Sequence, residues 1–178
     1  MSILDLLGLS SEKKGNSSTG RKTDSVREIS RQLEHMDRDR ARYLAAFAYL
    51  LGRVAYADRD VSSEEAEMME RVLVKIGHLT EDQAVLIIEI ARQQNRLFGH
   101  VDNFLVTREF NELATKKQKM ELLSCLFAIS ASDKSISNIE DSEIRQISGE
   151  LLLEHRDFIA ARSQFREHLD ILKKEYPG

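Results

Sequence analysis

Ala57-Asp-Arg-Asp-Val-Ser-Ser-Glu-Glu65 returns 75 residues later as Ser132-Asp-Lys-Ser-Ile-Ser-Asn-Ile-Glu140, and the match runs on without a gap. Leu51 pairs with Leu126, Val54 with Ile129, Asp58 with Asp133 and Val61 with Ile136. Ser62 pairs with Ser137, Glu65 with Glu140, Met69 with Ile144 and Val72 with Ile147. Each copy reads as an apolar helix ending at its aspartate, a short turn carrying an apolar plug, and a second helix opened by Ser-x-x-Glu. In such a capping box the hydroxyl accepts the third amide of the helix and the carboxylate reaches back to the amide of the N-cap residue itself. The spacing therefore predicts a duplicated helical hairpin with an acid in each elbow.

The rest of the chain uses the same grammar. Ser25-x-x-Glu28, Thr80-x-x-Gln83 and Thr115-x-x-Gln118 also fit the box. Apolar residues follow at helical spacing: Leu44, Phe47, Leu51 and Val54, then Met69, Val72, Leu73 and Ile76, then Val85, Ile88 and Ala91. Leu122, Leu123, Leu126, Phe127 and Ile129 cover nearly half a helix, which marks a central element. Phe158, Ile159, Phe165 and Leu169 mark the last helix. The only proline is Pro177, so almost nothing after residue 24 forbids helix. Gly77 and Gly99 are expected as helix stops. The prediction is an all-α fold of about seven helices near 25–57, 63–76, 81–97, 102–113, 116–132, 138–152 and 156–173. The first is expected to break near Met36-Asp37.

Two regions follow. Residues 1–24 form an expected flexible segment, with a polar stretch at 10–24 behind an apolar tip at Ile3–Leu9, and residues 25–178 form the helical domain. The tip has three possible fates: docking on the domain, binding a partner's groove, or weak contact with a membrane.

Composition narrows function. A formal net charge of −4 argues against nucleic-acid binding by phosphate neutralisation. No apolar run approaches the roughly 18–20 residues of a membrane span, and a cytoplasmic setting is expected. The single cysteine, Cys125, lies in an apolar run and is expected to be buried and inert. The five histidines are scattered, none four residues from another, so no zinc site and no catalytic triad can be built. The protein is expected not to be an enzyme. Gly15 to Thr23 superficially matches a phosphate loop but has Arg21 in the lysine position and no preceding strand. The elbows are not EF-hands, because counting from Asp58 places Ser63 and Met69 where glycine and the bidentate glutamate belong.

The acids themselves admit two readings. Helix capping accounts for Glu65 and Glu140, since Gln83 and Gln118 do the same work without an aspartate before them. Asp58 and Asp133 sit at helix C-termini, where a negative charge opposes the macrodipole by roughly 0.3–1 kcal/mol. Either their carboxylates staple the turn by accepting its amides, or they bind a cation. An all-oxygen set (Asp58, Glu65, Asp133, Glu140) favours calcium or magnesium over zinc.

Ala57 to Glu65, Asp102-Asn-Phe-Leu-Val-Thr-Arg-Glu-Phe-Asn111, Phe127-Ala-Ile-Ser-Ala-Ser-Asp133 with Glu140, and His155-Arg-Asp-Phe-Ile-Ala-Ala161 together resemble the tellurite-resistance protein B (TerB) family. The resemblance spans roughly residues 40–170. It implies an all-helical fold on a duplicated hairpin and a divalent-cation site at Asp58 with Glu65 and Asp133 with Glu140. It also implies a non-enzymatic interaction module with a protein partner in a tellurite-type stress response. The alternative it leaves is a metal-free, co-chaperone-like scaffold at the membrane face. Arg59 and Lys134 stand where the family usually has glycine, and both are expected to adopt positive φ reluctantly.

Overall fold

A computed structural model describes residues 2–9, 24–55 and 61–169. Its helices are α1 (Ile3–Leu6), α2 (Asp24–Glu34), α3 (Arg38–Ala55), α4 (Ser63–Lys75), α5 (Glu81–Arg92), α6 (Gln94–Phe98), α7 (Asn103–Leu113), α8 (Lys116–Ser130), α9 (Asn138–Glu150) and α10 (His155–Ser163). Short 3-10 turns follow α8 at Ala131–Asp133 and α10 at Arg166–His168. Among the described residues, extended pairing is confined to one bridge between Ile136 and Leu169. The fold is all-α, as the periodicity requires.

The duplication is written in the boundaries. α4 and α9 begin and end 75 residues apart, and Ala55 and Ser130 close the described parts of α3 and α8 at the same offset. Both second helices start from the same extended N-cap backbone, with Ser62 at φ −66°, ψ 166° and Ser137 at φ −64°, ψ 158°. The boxes close alike. Ser62 and Ser137 N–H donate to Glu65 Oε2 and Glu140 Oε2 at 2.8 and 2.9 Å, while each serine hydroxyl accepts the glutamate's amide at 3.2 Å.

α3 is the axle of the bundle. Buried residues run almost all the way round it from Ala41 to Val54, and it packs against α5, α7, α8 and α9. α8 is the second buried helix, with Leu122, Leu123, Leu126 and Phe127 fully enclosed. Aromatic rings lock these helices to their neighbours: Tyr43 stacks on Phe110 at 5.2 Å, and Phe127 on Phe165 at 5.9 Å. Cys125 is buried, and burial, with Glu121 nearby, pushes its thiol up to about 12.

Several expectations need correction. There are ten α-helices among the described residues, against about seven expected. The first predicted helix breaks where foreseen, because Asp37 Oδ1 accepts the Arg40 amide and starts α3. The third predicted helix divides at Gln93, and the last stops at Ser163. Ser25 does not cap a helix: α2 already includes Asp24, and Glu28 turns to Arg31 and Gln32 instead. Val85 is 47% exposed and Ile159 also faces outward, so neither belongs to the core stripes. Gly77 is not the left-handed stop of α4; that conformation falls on His78, at φ 52°. Gly77 is needed for closeness, since a Cβ there would lie 2.6 Å from the Leu73 carbonyl oxygen and 3.3 Å from Cys125 Sγ.

Of the three fates of the apolar tip, the structure displays docking. Ile3, Leu6 and Leu7 are buried in the core cluster against α3 and α6. Residues 10–23, the greater part of the predicted polar stretch, lie outside the described residues.

One buried polar network crosses the bundle. Arg53, whose side chain is 4% exposed, donates to Glu143 Oε1 at 2.7 Å and to Glu150 Oε2 at 2.6 Å. Thr107 on α7 donates to the same Glu150 oxygen at 2.8 Å, and Gln146 to the other at 2.9 Å. Burial alone would raise the Glu150 carboxyl, but its bonds to Arg53, Gln146 and Thr107 win and hold it below its ordinary 4.5. Arg53→Ala should cost about 3–5 kcal/mol in urea denaturation, because it strands two half-buried carboxylates. A depressed carboxylate contributes stability that is present above pH 4.5 and lost as pH falls through the lower folded value. Denaturation midpoints measured below pH 4.5 should therefore decline, and less steeply for Glu150→Gln than for the native chain.

Candidate cation cavity between the two elbows

The hairpins meet end to end. Ala55, Val61, Glu65, Met68 and Met69 from the first copy line one cavity with Ile129, Ser130, Ser132, Asp133 and Glu140 from the second. Its volume is about 70 Å³, several times the roughly 10–15 Å³ that one water needs. Three of the four sequence-predicted acids (Glu65, Asp133 and Glu140) thus share a cavity. Asp58 and Arg59 lie outside the described residues.

Local structure explains the arrangement. α8 brings Ser130 to the cavity at its last turn, and the 3-10 turn then carries Ser132 and Asp133 across it. Asp133 stands beyond the last residue of α8 rather than within it. Ser132 Oγ donates to the Ile129 carbonyl at 2.7 Å and tightens the turn. Ile136 is the buried plug, and its amide donates to the His168 carbonyl at 2.6 Å. Lys134 adopts the left-handed conformation at φ 74°. The elbow therefore keeps the geometry that glycine would give, with lysine accepting the strain.

The field at the cavity is mixed. The C-terminal ends of α3 and α8 present negative partial charge, which favours a cation. The N-terminal ends of α4 and α9 present positive charge, but amides there are committed to the carboxylates of Glu65 and Glu140. Glu140 accepts the Ser137 amide and hydroxyl through Oε2 alone, which leaves Oε1 for another partner.

Ser130 is the feature the sequence did not single out. It is 4% exposed, and among the described residues its hydroxyl has no hydrogen-bond partner. A signal existed: the equivalent residue of the first copy is Ala55, so the repeat differs by one hydroxyl at this wall. Against this stands one restriction. Among the described residues, no group of three or more His, Cys, Asp or Glu side chains is placed to hold a metal ion.

A larger cavity, about 300 Å³, opens beside Arg40, Tyr43, His78, Lys117 and Glu121. Glu121 pairs there with His78 at 2.9 Å and Lys117 at 3.8 Å, and Arg40 donates to the neutral side chain of Gln83. Neither of the two buried unpartnered side-chain atoms among the described residues, Asn111 Oδ1 and Ser130 Oγ, lines it, so the smaller elbow cavity is the better candidate. No histidine lines the elbow cavity.

A helical bundle organised around a doubled hairpin, with its acids at the elbows, defines the class of protein. The family model described as tellurite resistance protein TerB matches residues 43–163, more than half of the chain. The chain belongs to the TerB family. Comparison with curated proteins and with solved structures gives no match.

Strain at Lys134 is measurable. Lys134→Gly should stabilise the protein by about 1 kcal/mol in urea denaturation, and Lys134→Val should destabilise it by a similar amount, since a β-branched residue resists positive φ most.

Proposed function

We propose that this TerB protein is a non-enzymatic interaction module whose two hairpins are coupled through a divalent cation, calcium or magnesium, in a stress response of the tellurite type. The observation that carries the reading is the convergence of Glu65, Asp133 and Glu140 on a cavity that also holds an unsatisfied buried hydroxyl. Asp58, the repeat partner of Asp133, is the fourth acid of the set. When bound, a divalent cation supplies the positive charge that lets carboxylates from both copies crowd one space. Glu65 would hold it from the first hairpin, and Asp133 and Glu140 from the second. Ligation from both sides would fasten α4 to the α8–α9 elbow and fix the surface offered to a protein partner.

One observation favours the second reading, a metal-free scaffold or co-chaperone-like domain at the membrane face: the described acids are not gathered at ligating positions. Contact with a membrane through residues 3–9 is disfavoured, because Ile3, Leu6 and Leu7 are buried against the bundle. No helix among the described residues is long and apolar enough to cross a membrane.

Thermal melts separate the two readings. With calcium or magnesium at 100-fold its dissociation constant, stability should rise by about 2.7 kcal/mol. Glu140→Gln is the discriminating variant, because Gln118 and Gln83 already make the same capping box on α8 and α5. It keeps the cap and removes the charge, so it should melt like the native chain without metal and lose most of the metal-dependent rise. No shift with either ion in the native chain would favour the metal-free scaffold.

A further inference from the structure

The cavity of about 300 Å³ beside Arg40 shares no lining residue with the elbow cavity and is lined by described residues alone. It gathers side chains from three places: Arg40 and Tyr43 on α3, His78 after α4, and Lys117 and Glu121 on α8. Tyr43 is the informative one. Its ring packs on Phe110 at 5.2 Å and on Phe47 at 6.0 Å, and the residue is 4% exposed. A buried tyrosine hydroxyl ordinarily finds a partner. Tyr49 on the same helix does, giving its proton to Asn103 Oδ1 at 2.5 Å. Among the described residues the Tyr43 hydroxyl has no hydrogen-bond partner. The unpartnered side-chain atoms sealed from solvent there are Asn111 Oδ1 and Ser130 Oγ, so the Tyr43 hydroxyl is open to the cavity it lines. Burial pushes its phenol up to about 12 against the pull of Arg40, so it meets the cavity as a proton donor.

The charges around it are unevenly matched. The Arg40 guanidinium lies 5.0 Å over the Tyr43 ring and donates to the neutral Gln83 side chain. Among the described residues it forms no ion pair. Most of its N–H donors therefore remain to be used. The first turn of α8, which brings Lys117 to the wall, carries no acid to offset the positive end of that helix. Glu121 is the acid of the lining, and its Oε1 takes both His78 and Lys117, which leaves Oε2.

We infer that this cavity binds a small oxyanion that still carries a proton, hydrogenphosphate being the simplest. Tyr43 and Arg40 donate to its oxygens, and Glu121 Oε2 accepts its O–H. Arg40 and Lys117 together outweigh Glu121, which favours an anion, and the guanidinium fork matches phosphate oxygens. Glu121 then selects among anions. Sulfate would set a bare oxygen against the carboxylate, whereas hydrogenphosphate makes the same contact a charge-assisted hydrogen bond.

The test titrates sodium phosphate and sodium sulfate into the full chain by calorimetry, at neutral pH and equal ionic strength. Divalent cations are left out, so the result does not depend on the elbow cavity. The native chain should bind phosphate, and sulfate about tenfold more weakly, the value of one hydrogen bond to a charged group. Tyr43→Phe keeps the ring packing and removes the hydroxyl alone. It should weaken phosphate about tenfold and leave the phosphate-free melting temperature unchanged. Arg40→Gln should weaken both anions, and Glu121→Gln should bring sulfate to within about threefold of phosphate. Phosphate affinity in Tyr43→Phe within about twofold of native would overturn the assignment. So would equal binding of the two anions by the native chain, or no binding of phosphate. A phosphate-free melting temperature several degrees lower in Tyr43→Phe would overturn it too, by showing that the hydroxyl is bonded within the protein.

Discussion

The interaction on which the structure turns is the bond from a serine amide to a glutamate carboxylate at the start of α4 and of α9. Each bond fixes where the second helix of a hairpin begins, and so fixes the angle at which the chain leaves the elbow. Because both bonds are made with the same N-cap backbone, the two elbows have like exits. The like exits place Glu65 and Glu140 against one cavity. A helix cap worth about 1 kcal/mol thus decides where the acids of the protein stand.

Capping was the legible part of the sequence, and it was legible because it is local. The boxes at Ser62, Thr80, Thr115 and Ser137 fall where the spacing placed them. The break before α3 was readable from Asp37 for the same reason. The box at Ser25 failed because α2 takes in Asp24, and the arginine and glutamine three and four residues along compete for Glu28. Hydrophobic spacing located the core helices but overreached at their margins. Val85 and Ile159 sit at helical spacing from buried residues yet face outward, because no element among the described residues covers that side.

What the sequence could not disclose depends on contacts distant in the chain. The Arg53 network joins residues 43 to 97 positions apart, and nothing about an arginine in an apolar stripe announces two carboxylates waiting for it. The left-handed residue after α4 moved from Gly77 to His78 because the glycine was already needed where the chain passes Cys125. The meeting of Glu65 with the second elbow is of the same kind. Equal spacing made the two helix starts alike, but only the packing of α3 and α4 against α8 brought Glu65 beside Asp133 and Glu140. Ser130 was overlooked because a serine in an apolar helix is ordinarily bonded to its own backbone.

The capping duty of the glutamates bears on the kind of site proposed for them. Where metal ligands have no other partner, a protein commonly folds only with its ion, and binding energy is folding energy. Here Glu65 and Glu140 are held by backbone amides, and Asp141 beside Glu140 is locked to Arg162 by two bonds of 2.8 and 2.9 Å. The starts of α4 and α9 are therefore built from interactions internal to the chain. In the proposed reading, the carboxylates would share an ion with the helix ends rather than depend on it for their positions. Such sharing weakens affinity, since part of each carboxylate's capacity is already spent on amides, but it leaves the bundle folded in either state. A site of that design is suited to reporting a change in cation level, and poorly suited to serving as a structural staple.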